Sequence, residues 1–140
     1  MTSVVIAVDG SAPSLTGVEQ GCALAKAMGF EVDLVCVSPP VLLPPAAYAD
    51  TIAKIEEANR LTANDTLARA EKVASGFGVK SSRVVLSGAP AEAIADLALD
   101  ARVWGVVVGA KGHSALSRVM LGSVADRLVH ICSKPVLVVR

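Results

Sequence analysis

Five short apolar, mostly β-branched runs alternate with stretches of helical periodicity along the chain, and this alternation restricts the fold more than any other feature. The runs cover residues 4–8, 32–37, 83–86, 104–108 and 136–139. They are nearly continuous in apolar character, the pattern of strands covered on both faces, as in parallel sheets. Helical stretches over 14–28, about 50–75, 90–100 and 123–131 separate them. Gly29 reads as a C-cap of the first helix, Gly76 and Gly78 as stops for the second, and Pro90 as a first-turn residue of the third. In the third helix Ala91, Ile94, Ala95 and Ala98 fall on one face, which predicts packing on the sheet. The expected architecture is α/β: one domain over 1–140, an open five-stranded parallel sheet with helices on both faces, right-handed crossovers, and a flavodoxin-like or Rossmann-like topology. The flavodoxin order 2-1-3-4-5 and its relatives are the economical arrangements. In such sheets ligands sit beyond the carboxyl ends of the strands where the order reverses, so Asp9 and Gly109 are the positions to inspect.

Composition bounds the chemistry. Hydrophobic residues make up 53% of the 140 and charged ones 19%, enough for a packed core. The aromatics are Phe30, Tyr48, Phe77 and Trp104, too few for a platform that stacks single-stranded nucleic acid. Thirteen basic and thirteen acidic residues cancel, and no cationic run exists to hold nucleic acid or an anionic membrane surface. Cys22, Cys36 and Cys132 are odd in number and set in apolar contexts, so they read as thiols of a reducing compartment, not a disulfide or zinc framework. The first residues have no basic flank and read as a strand, not a signal peptide. Apolar stretches fall well short of the roughly 18 residues of a membrane span. A cytoplasmic, soluble protein is the expectation.

Prolines make residues 38–45 an extended loop, because they remove donors and restrain the residues before them. The fourth run, ending at Val108, leads into Gly109-Ala110-Lys111-Gly112-His113 and on to Gly122-Ser123. Gly109 lets backbone approach a ligand with no Cβ in the way, and Gly112 can take positive φ to turn the chain. Gly122 and Ser123 precede the last helix, so N–H groups, a hydroxyl and the positive helix end converge on an anion. Phosphate is the natural guest. Neither the Walker motif nor the Rossmann fingerprint is present.

The spacing Gly-x2-Gly-x9-Gly-Ser/Thr, filled by Gly109, Gly112, Gly122 and Ser123, resembles that of the universal stress protein family in its ATP-binding branch. The opening Val5-Ile6-Ala7-Val8-Asp9-Gly10-Ser11 and the close Lys134-Pro135-Val136-Leu137-Val138-Val139 are similar to that family's first and last strands, so the resemblance covers the whole chain. It implies the family's adenine nucleotide alpha hydrolase-like fold. It also implies that Asp9 and Gly10 border an adenosine, that the main chain of Val37 reads the adenine edge, and that Gly109, after Val108, lies against the ribose. Gly112, Gly122, Ser123 and the N–H of Val124 would cradle the phosphates of ATP, or of AMP or ADP, with Mg²⁺ accompanying a triphosphate. The family's habit of pairing through the last strand implies a homodimer through Val136, Leu137, Val138 and Val139, an apolar edge that would otherwise lie bare. The proline-rich stretch after Val37 is a departure that bears on affinity more than on fold.

Each residue also has a bland reading. Asp9 could cap the first helix, and Lys111 and His113 could be solvated loop residues instead of phosphate partners. Glu56, Glu57 and Arg60 read as a solvated helical face with local ion pairs. His130 and Cys132 lack further ligands at metal spacing, and Trp104 reads as packing against a helix at the sheet edge. No paired carboxylates, no Ser/His/Asp series and no clear base near the loop suggest an enzyme, so any ATP hydrolysis is expected to be slow. Four readings stand: a regulatory stress protein that binds ATP, AMP or cyclic AMP; a slow ATPase or adenylate-transferring relative with Asp9 holding Mg²⁺; a contact-only member without nucleotide; and a receiver or flavin module. The last fits poorly, because Leu86-Ser87-Gly88 offers no phospho-accepting Asp and flanking aromatics are scarce.

Overall fold

The computed structural model describes residues 1–42, 44–111 and 120–140. In chain order it contains β1 (Ser3–Ala7), α1 (Ala12–Met28), β2 (Glu31–Ser38), α2 (Pro45–Phe77), β3 (Ser81–Ser87), α3 (Pro90–Leu97), β4 (Val103–Gly109), α4 (Ser123–Ile131) and β5 (Val136–Val139). The five strands form one parallel sheet in the order β3-β2-β1-β4-β5. The order 2-1-3-4-5 is therefore corrected to the Rossmann-like 3-2-1-4-5, one of the related arrangements expected. Its error was to put the third strand near the centre of the sheet, where both faces are covered. With Ser81, Ser82, Arg83 and Ser87, β3 is half exposed along its length and suits an edge.

The chain moves outward from β1 through β2 to β3, then crosses back over the sheet to β4 on the far side of β1. Right-handed crossovers in two opposite directions place α1 and α2 on one face, α3 and α4 on the other. Two apolar layers follow. Val18, Cys22, Ala25, Ala63, Leu67, Ala70 and Ala74 pack on Val4, Ile6, Val32, Leu34 and Val107, while Ala91, Ile94, Ala98, Ala125 and Leu128 pack on Val5, Val35, Val106 and Val108. Two glycines are spacing residues: a Cβ at Gly21 would lie 2.5 Å from Ile6 Cδ1, and one at Gly105 would lie 2.7 Å from the carbonyl oxygen of Pro135.

Most boundaries fall where the punctuation put them. Gly29 and Gly78 close α1 and α2 in the left-handed region, at φ 71° and 70°. Gly76 lies inside α2, whose own cap follows two residues later. α2 begins at Pro45, five residues earlier than expected, because a proline fits the first helical position and its missing N–H has no intrahelical acceptor to lose there. The extended segment is thus shorter than 38–45: Ser38 still belongs to β2 and Pro45 to α2, while Leu43 lies outside the described residues. α3 ends at Leu97, and residues 98–102 turn into β4. Trp104 sits on β4, one strand in from the edge rather than at it, tilted against Phe30 with ring centroids 6.1 Å apart. Arg60 pairs with Glu57 on the exposed face of α2, as expected. No helix among the described residues is long and apolar enough to cross a membrane.

One buried charge escaped the sequence reading. Asp33 on β2, 6% exposed, accepts a 2.8 Å hydrogen bond from the hydroxyl of Ser3 on β1, and Arg102 Nη2 lies 3.6 Å away. The contact ties the amino ends of adjacent strands, remote from the carboxyl-end cleft. Asp33→Ala leaves the fully buried Ser3 hydroxyl without its acceptor and should cost about 1–3 kcal/mol in urea unfolding. An unchanged midpoint would mean that the hydroxyl has another acceptor.

Candidate nucleotide cleft

The reversal of strand order falls between β1 and β4. They pair as far as Ile6 and Val107, after which β1 parts from β4 while still paired with β2, and β4 continues beside β5 to Gly109. The split opens a cleft of about 250 Å³ at the carboxyl edge. Ala7, Val8 and Asp9 form one wall and Val108, Gly109 and Lys111 the other, while Val35 and Val37 close the β2 side. Pro90 and Ile94 of α3 and Gly122, Ser123, Val124 and Ala125 at the start of α4 complete the lining.

Backbone polarity differs around this rim. Gly122 is the N-cap of α4 in an extended conformation, φ −62° and ψ 157°, with no side-chain capping hydrogen bond. Its own N–H donates to the Ala110 carbonyl, and the first intrahelical bond runs from Asp126 N–H to Gly122 O. The N–H groups of Ser123, Val124 and Ala125 therefore have no acceptor within the helix and stand at the cleft, where the helix dipole adds positive potential. The start of α1 is different. Ser11 caps it by accepting from Ser14 N–H, Pro13 lacks a donor, and the Asp9 carboxylate accepts from both the N–H and the hydroxyl of Ser11. The capping alternative for Asp9 thus resolves into a bracing role: Ser11 is the cap, and Asp9 holds it. An anion is favoured at α4 and opposed at α1.

The β2 side offers a second kind of recognition. The Val8 N–H donates to Val35 O at 2.8 Å, the last bond from the first strand's segment to β2. Along a strand the backbone groups of alternate residues face the same neighbour, so the N–H and C=O of Val37 point the same way, beyond the end of β1. A donor–acceptor pair at the rim of an apolar wall suits the edge of a heteroaromatic ring.

The predicted site residues fall into three groups. The cleft brings together Asp9, Val37, Val108, Gly109, Lys111, Gly122, Ser123 and Val124. Gly10 does not line it: at φ +85° it turns the chain under α2, where a Cβ would meet Arg69 and Thr66. Gly112 and His113 lie outside the described residues. The reason for glycine at 109 also changes. An added Cβ would stand 3.0 Å from the Pro13 carbonyl carbon and oxygen, so the close approach is to the first turn of α1 and not only to a ligand. Sequence reading missed Ala7, Val8 and Val35, because nothing short of the register shows which residues of a continuous apolar strand end beside the reversal, and Ser14, Pro90, Ile94 and Ala125, because only the seating of the helices on the sheet brings them to it.

The two buried thiols are held in their neutral form. Burial pushes Cys22 up to about 11; it also raises Cys36, with the Asp9 carboxylate adding to the effect. Cys132, half exposed, ends α4. His130 pairs its Nδ1 with the Asp126 carbonyl, and no cluster of three or more metal-ligating side chains occurs among the described residues.

Comparison with known proteins gives concordant results. The model of the universal stress protein family matches residues 1–140. A universal stress protein of Methanocaldococcus jannaschii is 34% identical over 140 residues, covering 98% of this chain and 81% of that protein. Among solved structures, universal stress protein UspA from Lactobacillus plantarum superposes with a TM-score of 0.88 at 19% identity, covering 99% and 97% of the two chains. A universal stress protein in complex with cAMP gives 0.76 at 25% identity, covering 99% and 97%. One from Archaeoglobus fulgidus in complex with dAMP gives 0.77 at 22%, covering 100% and 98%.

Proposed function

Because the chain belongs to the universal stress protein family, we propose that it is an adenine-nucleotide-binding regulator of the stress response, with its ligand in the β1/β4 cleft. The observation that carries this reading is the uncapped start of α4: three N–H groups converge with the Ser123 hydroxyl on one wall of a cleft whose other rim is the Val37 backbone. The nucleotide lies with its phosphates at Gly122, Ser123 and Val124, its ribose against Gly109 and its adenine toward Val37. The Lys111 side chain offsets phosphate charge. Relatives solved with cAMP and dAMP support an adenine nucleotide as the class, with AMP, ADP or ATP, accompanied by Mg²⁺, as the cellular form.

Binding, not turnover, is the proposed activity. Asp9 is the one carboxylate lining the described cleft, and its Oδ1 is engaged with Ser11. The unpaired cysteines suit a reducing, cytoplasmic setting. The proposed assembly is a homodimer through the β5 edge, where Val136 and Val138 are half-buried and Leu137 is 41% exposed.

The purified chain, denatured in acid, should release an adenine nucleotide near one equivalent, identified by chromatography. Release of none, followed by no thermal shift in millimolar AMP, ADP or ATP, would leave a protein that acts by contacts alone.

A further inference from the structure

We propose that a groove on the α1 face of the sheet, behind the nucleotide cleft, is a second site that takes a small amphiphilic anion, a carboxylate on a hydrocarbon chain, and that its occupation opposes nucleotide binding. The second half of this proposal rests on the nucleotide reading above; the first half does not.

Pro13, Ala110, Lys111, Val139 and Arg140 line the groove, whose volume is about 340 Å³. Its floor is apolar: Pro13 from the first turn of α1, Ala110 just past β4, and Val139 at the end of β5. Among the described residues, the charged side chains on its rim are both cations, and neither Lys111 nor Arg140 forms an ion pair with another described residue. Lys111 is half-buried, and a lysine at such a rim can lay its hydrocarbon stem on an apolar surface while its ammonium stays in water. A bare phosphate would gain nothing from the floor, an uncharged hydrocarbon nothing from the rim, and a cationic amphiphile would be repelled. A carboxylate with an alkyl chain satisfies both, since apolar burial drives association and paired charge fixes its direction.

The groove shares its wall with the cleft. The Ala110 N–H donates to Val139 O at 2.7 Å, and Ala110 O accepts from Gly122 N–H at 2.6 Å, so the residue that floors the groove also fixes the phosphate-facing start of α4. Lys111 lines both cavities. One ammonium cannot face two anions on opposite sides of the chain, so an anion in the groove withdraws charge from the cleft. The coupling is negative, and linkage makes it equal in both directions.

Isothermal titration of the nucleotide-free full chain with decanoate tests this, with decanol and decyltrimethylammonium as head-group controls. Decanoate should bind saturably at a single site, and both controls at least about tenfold more weakly. Arg140→Gln, which removes the cation without adding an anion beside Lys111, should weaken decanoate about fivefold and leave AMP affinity unchanged, because Arg140 does not line the cleft. Saturating AMP should weaken decanoate severalfold, and decanoate should weaken AMP by the same factor. No saturable binding, equal affinity for all three head groups, or indifference to Arg140→Gln would overturn the site. Dissociation of a dimer by decanoate would assign the groove to the subunit contact and overturn it as well. A protein that binds decanoate but no AMP would refute the nucleotide reading and the coupling while upholding the groove.

Discussion

Gly122→Asp should lower adenine-nucleotide affinity by two to three orders of magnitude while leaving the fold as stable as before, or slightly more so. Gly122 already has the extended backbone of an N-cap, φ −62°, so a side chain brings no conformational strain. Aspartate is among the best N-capping residues, and its carboxylate can accept from the uncapped N–H groups at the start of α4, adding a few tenths of a kcal/mol. The same carboxylate then occupies the donors a phosphate needs. It also stands about 4 Å from the phosphate position, where like charges cost roughly 4 kcal/mol in a half-solvated site, which is about a thousandfold in affinity. Calorimetric titration with AMP and urea unfolding read the two effects separately. Nucleotide binding undiminished in a protein of equal stability would remove the start of α4 from the site.

Gly105→Val is expected to be the most damaging single substitution for the fold. The Cβ position lies 2.7 Å from the Pro135 carbonyl oxygen, and that oxygen accepts the Val106 N–H at 2.8 Å, the bond that opens the β4–β5 ladder. A backbone atom cannot turn aside as a side chain end can, so β5 must move or the strand must buckle. Overpacking of this kind costs about 1–3 kcal/mol, and the ladder bonds lost with it about 1 kcal/mol each. The total is on the order of 4 kcal/mol, much of the stability of a domain this size. Because β5 is the proposed subunit contact, the variant should also sediment as a monomer at micromolar concentrations that dimerise the parent protein. A parent that is itself a single monomeric species would end the dimer proposal, and an unfolding midpoint unaffected by the valine would mean that β5 does not pair as described.

Much of the site could be read from the sequence because glycine and serine at a strand end and helix start have few other uses. Gly109, Gly122 and Ser123 pointed to an anion before any packing was known, and the structure puts all three on one cleft. Gly10 belonged to the same turn as Asp9, yet its positive φ and the pressure of α2 face it away from the cleft. For Gly109 the residue was legible and the reason was not, since Pro13 is nearly a hundred positions distant in the chain. Ser14, Ile94 and Ala125 look like ordinary helix residues, and only the way the helices seat on the sheet makes them lining.

The sequence by itself determined the five strands, the four helices, their parallel sense and the two-sided covering, because apolar runs without alternation cannot stand against water on either face. It also pointed to the proposed anion site, because local backbone conformation at glycines and helix starts depends on neighbours in the chain. Only the tertiary structure decided the strand order, the close contacts at Gly105 and Gly109, the buried Ser3–Asp33 bond and the groove beside Lys111. Each of these depends on which distant segments meet, and that choice is made by the summed burial of whole layers, a quantity no local window of residues contains.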